Sequence, residues 1–107
     1  MERKLNFYPG LYLGESISPD KLDKLKRKLK SKPLLSSLYV LTLSQNPSNQ
    51  LEIYAARLLA QPYYRKYPPY IIGIAADYDE AVSLVEQIVQ ECIRERGDCA
   101  LKEYLLC

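Results

Sequence analysis

The chain has no histidine, so the side chain that most often moves protons near neutral pH is missing. Serine–histidine and cysteine–histidine nucleophile systems are thereby excluded within one chain. The tightest carboxylate group is Asp77, Asp79 and Glu80, directly after the apolar run Tyr70-Ile71-Ile72-Gly73-Ile74-Ala75-Ala76. Open α/β sheets bind ligands at such strand-to-helix junctions, and three carboxylates there suit a divalent ion. The same residues also suit a helix start. Asp77 fits the N-cap, Glu80 completes a capping box three residues on, and Asp79 adds negative charge to the first turn. Capping and solvation explain all three side chains with fewer assumptions. A phosphate would meet repulsion here, and the chain has neither a Gly-rich fingerprint nor a lysine-bearing phosphate loop. No catalytic, cofactor-binding or metal-ligating residues are therefore expected.

Cys92, Cys99 and Cys107 are odd in number and contain no Cys-x-x-Cys. Without histidine they make a poor zinc set. No signal peptide is evident, and no apolar run approaches the roughly 20 residues of a membrane span. These features predict a cytoplasmic protein with reduced thiols and no membrane partner. Cys92 falls on an apolar helix face and is expected to be inert core filling. Cys107, at the last position, is expected to be accessible and prone to intermolecular oxidation.

Tyrosine is the unusual component, with ten residues against one phenylalanine and no tryptophan. The densest run is Tyr63-Tyr64-Arg65-Lys66-Tyr67-Pro68-Pro69-Tyr70. Its rings suit stacking on unpaired bases, with Arg65 and Lys66 at phosphates. They equally suit a protein-docking loop stiffened by prolines, or a plain structural linker. Tyr63, Tyr64, Arg65, Lys66, Tyr67 and Tyr70 are therefore the candidate interaction surface. A second candidate lies upstream. Asp20 to Lys32 holds seven basic and two acidic residues, whereas Asp77 to Cys107 holds three basic and eight acidic ones, within a net charge of only +2. Lys21, Lys24, Arg27 and Lys28 define a candidate anion-facing helix. The simpler account is a solvated face whose lysine stems cover apolar neighbours.

The elements that must position these residues follow from periodicity. Continuous Tyr70, Ile71, Ile72 and Ile74 predict a strand buried on both faces, with Gly73 admitting either a closely packed helix or a ligand. Ala81, Val82, Leu84, Val85, Ile88, Val89, Cys92 and Ile93 predict a helix over 78–96 with a wide apolar arc, closed by Gly97. Ser18 as cap, Pro19 in the first turn and an Ile17–Leu22 staple predict a helix running to Ser31, before Pro33. Leu22, Leu25 and Leu29 form its narrow apolar stripe. Residues 37–43 predict a second strand, and Leu11-Tyr12-Leu13 a short edge strand after a Tyr8-Pro9-Gly10 turn. Leu51, Tyr54, Ala55, Leu58 and Leu59 favour a helix over 50–61 capped by Asn49 and Glu52, although Leu51-Glu52-Ile53 also alternates as a hairpin strand. The C-terminal segment, with Leu101, Leu105 and Leu106, suits a short helix capped by Asp98 or a final strand.

With a helix over 50–61, the expected fold is a single α/β domain spanning residues 1–107. It would have a small two- or three-stranded, mostly parallel sheet, a βαβ crossover and additional helices packed on it. The expected function is a small noncatalytic adaptor or accessory protein acting through protein–protein contacts, including self-association as a homodimer. The alternative is a single-stranded nucleic-acid-binding protein using the basic helix and the tyrosine-rich loop.

Overall fold

The computed structural model describes residues 5–46 and 48–106; the expectation for the Cys107 thiol lies outside them. Strands β1 (Asn6–Leu13), β2 (Tyr39–Leu43), β3 (Leu51–Ala55) and β4 (Tyr70–Ala75) form one sheet in the order β1-β4-β2-β3. Four helices pack with it: α1 (Leu22–Ser31), α2 (Pro62–Lys66), α3 (Tyr78–Arg96) and α4 (Leu101–Leu106).

This corrects the expected mostly parallel sheet. β1 and β4 are parallel, but β2 runs antiparallel to both β3 and β4. There is no βαβ crossover between β2 and β4, because the chain from 51 to 55 turns back as a hairpin strand, pairing Tyr39 with Ala55 and Leu43 with Leu51. The helix over 50–61 is absent. A 3-10 turn, Ala56–Ala60, holds Leu58 and Leu59 instead, and its entry is fixed by the Ala56 N–H donating to the Leu38 carbonyl. The helical spacing was misleading because it merged alternating strand residues with this turn. As a strand, Leu51 and Ile53 reach the core below the sheet while Tyr54 reaches the core above it. A helix would have left Ile53 off the apolar stripe. β1 is also longer than an edge piece at 11–13, absorbing Pro9 and Gly10 in an irregularity between Phe7 and Tyr12.

The expected strand and helix at the centre do form. In β4, Ile71, Ile72, Gly73, Ile74 and Ala75 are all buried, with Ile71 and Ile74 in one core layer and Ile72 and Ala75 in the other. Two residues pointing the same way require a bulge, and the β2–β4 register slips between Leu41 and Thr42. Gly73 answers to close packing: a Cβ there would lie 3.2 Å from Leu84 Cδ1 and 3.3 Å from Leu41 Cβ. Asp77 Oδ1 accepts the Glu80 N–H at 2.8 Å to open α3, and Gly97 closes it with φ of 78°. Ala81, Leu84, Ile88 and Cys92 lay α3 on one sheet face beside Leu101 and Leu105 of α4. Asp98 Oδ1 accepts the Ala100 N–H just before α4, so the C-terminal segment is the helix and not the strand. Leu29 of α1, Ala56, Leu59 and Tyr64 of α2 fill the opposite face. The sheet thus separates the lysine-rich layer from the acidic one.

Candidate functional site

Pro19 opens a 3-10 turn, Pro19–Lys21, that runs into α1; Ser18 precedes it without a side-chain capping bond. Leu29 is fully buried, and Leu22 and Leu25 are half-buried, so the apolar stripe turns the helix toward the sheet. Lys26 and Lys30 sit over the Phe7 ring, with Nζ 5.2 and 5.7 Å from its centroid. Those two lysines are committed to packing and cation–π contact with β1. Lys21, Lys24, Arg27 and Lys28 project outward, exposed and without an ion-pair partner among the described residues. Where α1 ends, buried Pro33 starts the 3-10 turn Pro33–Leu35, which presents Leu34 and Leu35 at 70% and 69% exposure. With Ser31, Lys32 and Ala60 they line an apolar depression of about 370 Å³.

The tyrosine run is divided by the sheet. Pro62 begins α2, where Tyr64 stacks on Tyr54 of β3 at 5.2 Å and 25°. Tyr63 meets Tyr64 edge-on at 5.1 Å and lies 5.2 Å from Tyr67, and Lys66 Nζ stands 5.5 Å from the Tyr67 ring. Tyr63, Arg65, Lys66 and Tyr67 are exposed. Tyr70 is not part of this group. As the first residue of β4 it faces the α3 layer, edge-on to Tyr8, which in turn stacks on Tyr12. Tyr12 donates its hydroxyl to Glu91 Oε2 at 2.6 Å, and burial followed by this acceptor pushes the phenol well above its usual range.

Between α2 and the β2–β3 hairpin is a cleft of about 520 Å³, lined by Thr42, Leu43, Gln45, Asn46, Glu52, Tyr54, Tyr63, Tyr64 and Pro69. Strand alternation places Thr42 opposite Glu52 on this side. Glu52 Oε1 accepts from Ser44 Oγ at 3.0 Å, and the Tyr63 hydroxyl donates across to Gln45 Oε1 at 3.2 Å. Tyr54 Oη is buried beside Thr42 in a geometry that satisfies no hydrogen bond. Its phenol is driven upward by burial first and by neighbouring Tyr64 second; burial also raises Tyr64.

No known protein family, curated protein or solved structure matches the chain.

The carboxylates at the start of α3 do not converge on an ion site, since no group of three or more metal-ligating side chains exists among the described residues. Glu80 is engaged structurally. Its Oε1 accepts the Ala76 N–H at 3.0 Å, and its Oε2 accepts Ser16 Oγ at 2.7 Å and the Ser16 N–H at 3.3 Å. The Ala76 amide foremost, then the Ser16 hydroxyl, lower its pKa. Only half of the expected capping box forms: Asp77 receives the Glu80 amide, while Glu80 reaches past the cap to Ala76 and across to the β1–α1 loop. Cys92 is buried, and desolvation raises its thiol pKa.

Sequence reading missed Leu34, Leu35, Glu52 and Tyr54 as surface or cleft residues. For the leucines a signal existed: two adjacent large apolar residues directly follow a helix-ending proline, outside any periodic stripe. Glu52 and Tyr54 became legible only once residues 51–55 were a strand, which puts them on one face.

Proposed function

We propose that this protein is a small noncatalytic binding module whose partner is a protein segment bearing acidic and leucine-like side chains, received along α1 and the Pro33–Leu35 turn. The supporting observation is the adjacency of two leucines about 70% exposed to a helix face carrying Lys21, Lys24, Arg27 and Lys28. An acidic amphipathic helix fits that surface, laying apolar side chains on Leu34 and Leu35 and carboxylates against the cations. Burial of the leucines supplies affinity, and the cations supply orientation and rate. A nucleic acid would use the cations but leave the leucines in water. Tyr64 is also a poor base-stacking platform, because Tyr54 occupies one of its faces.

The test is fluorescence anisotropy with a labelled leucine–glutamate amphipathic peptide, its leucine–lysine counterpart and oligothymidylate. The acidic peptide is expected to bind in a salt-dependent way. Leu34→Ser with Leu35→Ser should weaken it by roughly tenfold or more, each leucine being worth about 1–2 kcal/mol. Preference for the basic peptide, or oligothymidylate binding that ignores the leucine substitutions, would refute the proposal; the second result would favour the nucleic-acid reading.

A further inference from the structure

We propose that the cleft between α2 and the β2–β3 hairpin is a separate site for a small organic cation, an alkylammonium or alkylguanidinium. Its volume of about 520 Å³ falls within the range of small-molecule pockets. Glu52 is the one formally charged residue of the lining, and neither Arg65 nor Lys66 of the adjoining helix contributes to it. The Glu52 carboxylate has no ion-pair partner among the described residues; its Oε1 accepts from the neutral Ser44 hydroxyl.

The other groups favour the same ligand. Tyr54 Oη and the Thr42 side chain are buried beneath the cleft floor, so the polar groups a ligand meets first are Glu52 and the exposed Gln45 and Asn46 amides of the lining. Tyr63 and Tyr64 line its side; Tyr64 is stacked on Tyr54, so the half-exposed Tyr63 ring is the one available to attract a cation, which an aromatic face does within about 6 Å of its centre. The Tyr63–Gln45 hydrogen bond spans from the helix wall to the hairpin turn. An anion would meet the Glu52 carboxylate inside the cleft, whereas Lys102, whose Nζ donates to the Asn46 carbonyl at 3.3 Å, lies outside the lining. A neutral polyol could hydrogen-bond the amides but would gain no charge attraction from Glu52. A cation with several N–H donors can bond the Glu52 carboxylate and the amide oxygens together. The site stands independently of the leucine-bearing surface, since no residue is shared between the two linings.

Amide NMR titration with butylamine and butylguanidine, against 1-butanol, tests the assignment. Saturable shifts are expected at Thr42, Glu52, Tyr54, Tyr63 and Tyr64 for at least one cation, with a Kd on the order of 1 mM for so small a ligand. Butanol should cause no comparable shifts. Glu52→Gln, an isosteric change at an exposed position, should keep the dispersed spectrum while weakening cation binding by about tenfold. Absence of saturable shifts with either cation, equal response to butanol, or undiminished binding by Glu52→Gln would overturn the proposal.

Discussion

Substituting Gly14 by alanine should release the loop between β1 and α1 from the start of α3. A Cβ at Gly14 would fall inside the Glu80 side chain, 2.6 Å from its Cγ and closer still to its carboxyl group. The backbone around Gly14 is held by its own N–H donating to the Ile74 carbonyl at 2.8 Å. The flexible partner must therefore yield, and moving the Glu80 carboxylate breaks its bonds from Ala76 and Ser16. These are charge-assisted but near the surface, so the net loss is placed at about 1–2 kcal/mol, below the sum for buried equivalents. Urea or thermal unfolding reads it directly, because each kcal/mol lowers Tm by about 4–8 °C in a domain of this size. Glu80→Ala should cost a similar amount, and the double variant little more than either, since both changes remove the same bonds. The acid limb gives a second check. The folded Glu80 pKa lies below its unfolded value of about 4.3, so its contribution is present above that value and disappears as pH falls through the folded pKa. Both variants should flatten that part of the stability profile. A neutral Gly14→Ala, or additive costs in the double variant, would refute the reasoning.

Gly73→Ala should destabilise by about 1–3 kcal/mol through overpacking against Leu84 and Leu41, and Leu84→Ala, in the same background, should recover less than it costs alone in wild type. Tyr54→Phe removes a buried hydroxyl that has no partner, so unfolding should show no loss of stability, or a gain of up to about 1 kcal/mol. In alkaline spectrophotometric titration Tyr12 and Tyr54 should ionise last; their raised pKa values mean stability is retained below about pH 10 and declines above it as the unfolded phenols ionise first. Thiol labelling of the native protein, read by peptide mass mapping, should modify exposed Cys99 long before buried Cys92.

The centre of the fold was legible because local and tertiary preferences agree there. Ile71, Ile72 and Ile74 favour pleated backbone and find apolar neighbours on both sides, and Asp77 and Gly97 supply the ends that α3 needs. The topology was not legible from Leu51 to Ala60, where strand and helix periodicities overlap over ten residues. Pairing partners decided between them: β2 offers a complete antiparallel register to Leu51–Ala55, a long-range fact that spacing within the segment cannot carry. That single change set β2 antiparallel to β4 instead of parallel. The candidate site was legible in part for the same reason. Lys24, Arg27 and Lys28 lie on a helix that forms, with Lys21 in the 3-10 turn leading into it, whereas Tyr70, expected both as a strand residue and as part of the surface with Tyr63 to Tyr67, is the strand residue and packs on the α3 side. No membrane-spanning segment was expected, and among the described residues no helix is long and apolar enough to be one.

Because the lysine-bearing and carboxylate-bearing layers lie on opposite sides of one sheet, the molecule carries a substantial dipole moment despite a net charge of only +2. Near any charged body it experiences a torque before it experiences contact, turning one flank forward over distances of about a Debye length, some 8 Å at physiological salt. Cation and anion exchangers would therefore each retain it at low ionic strength, gripping opposite flanks.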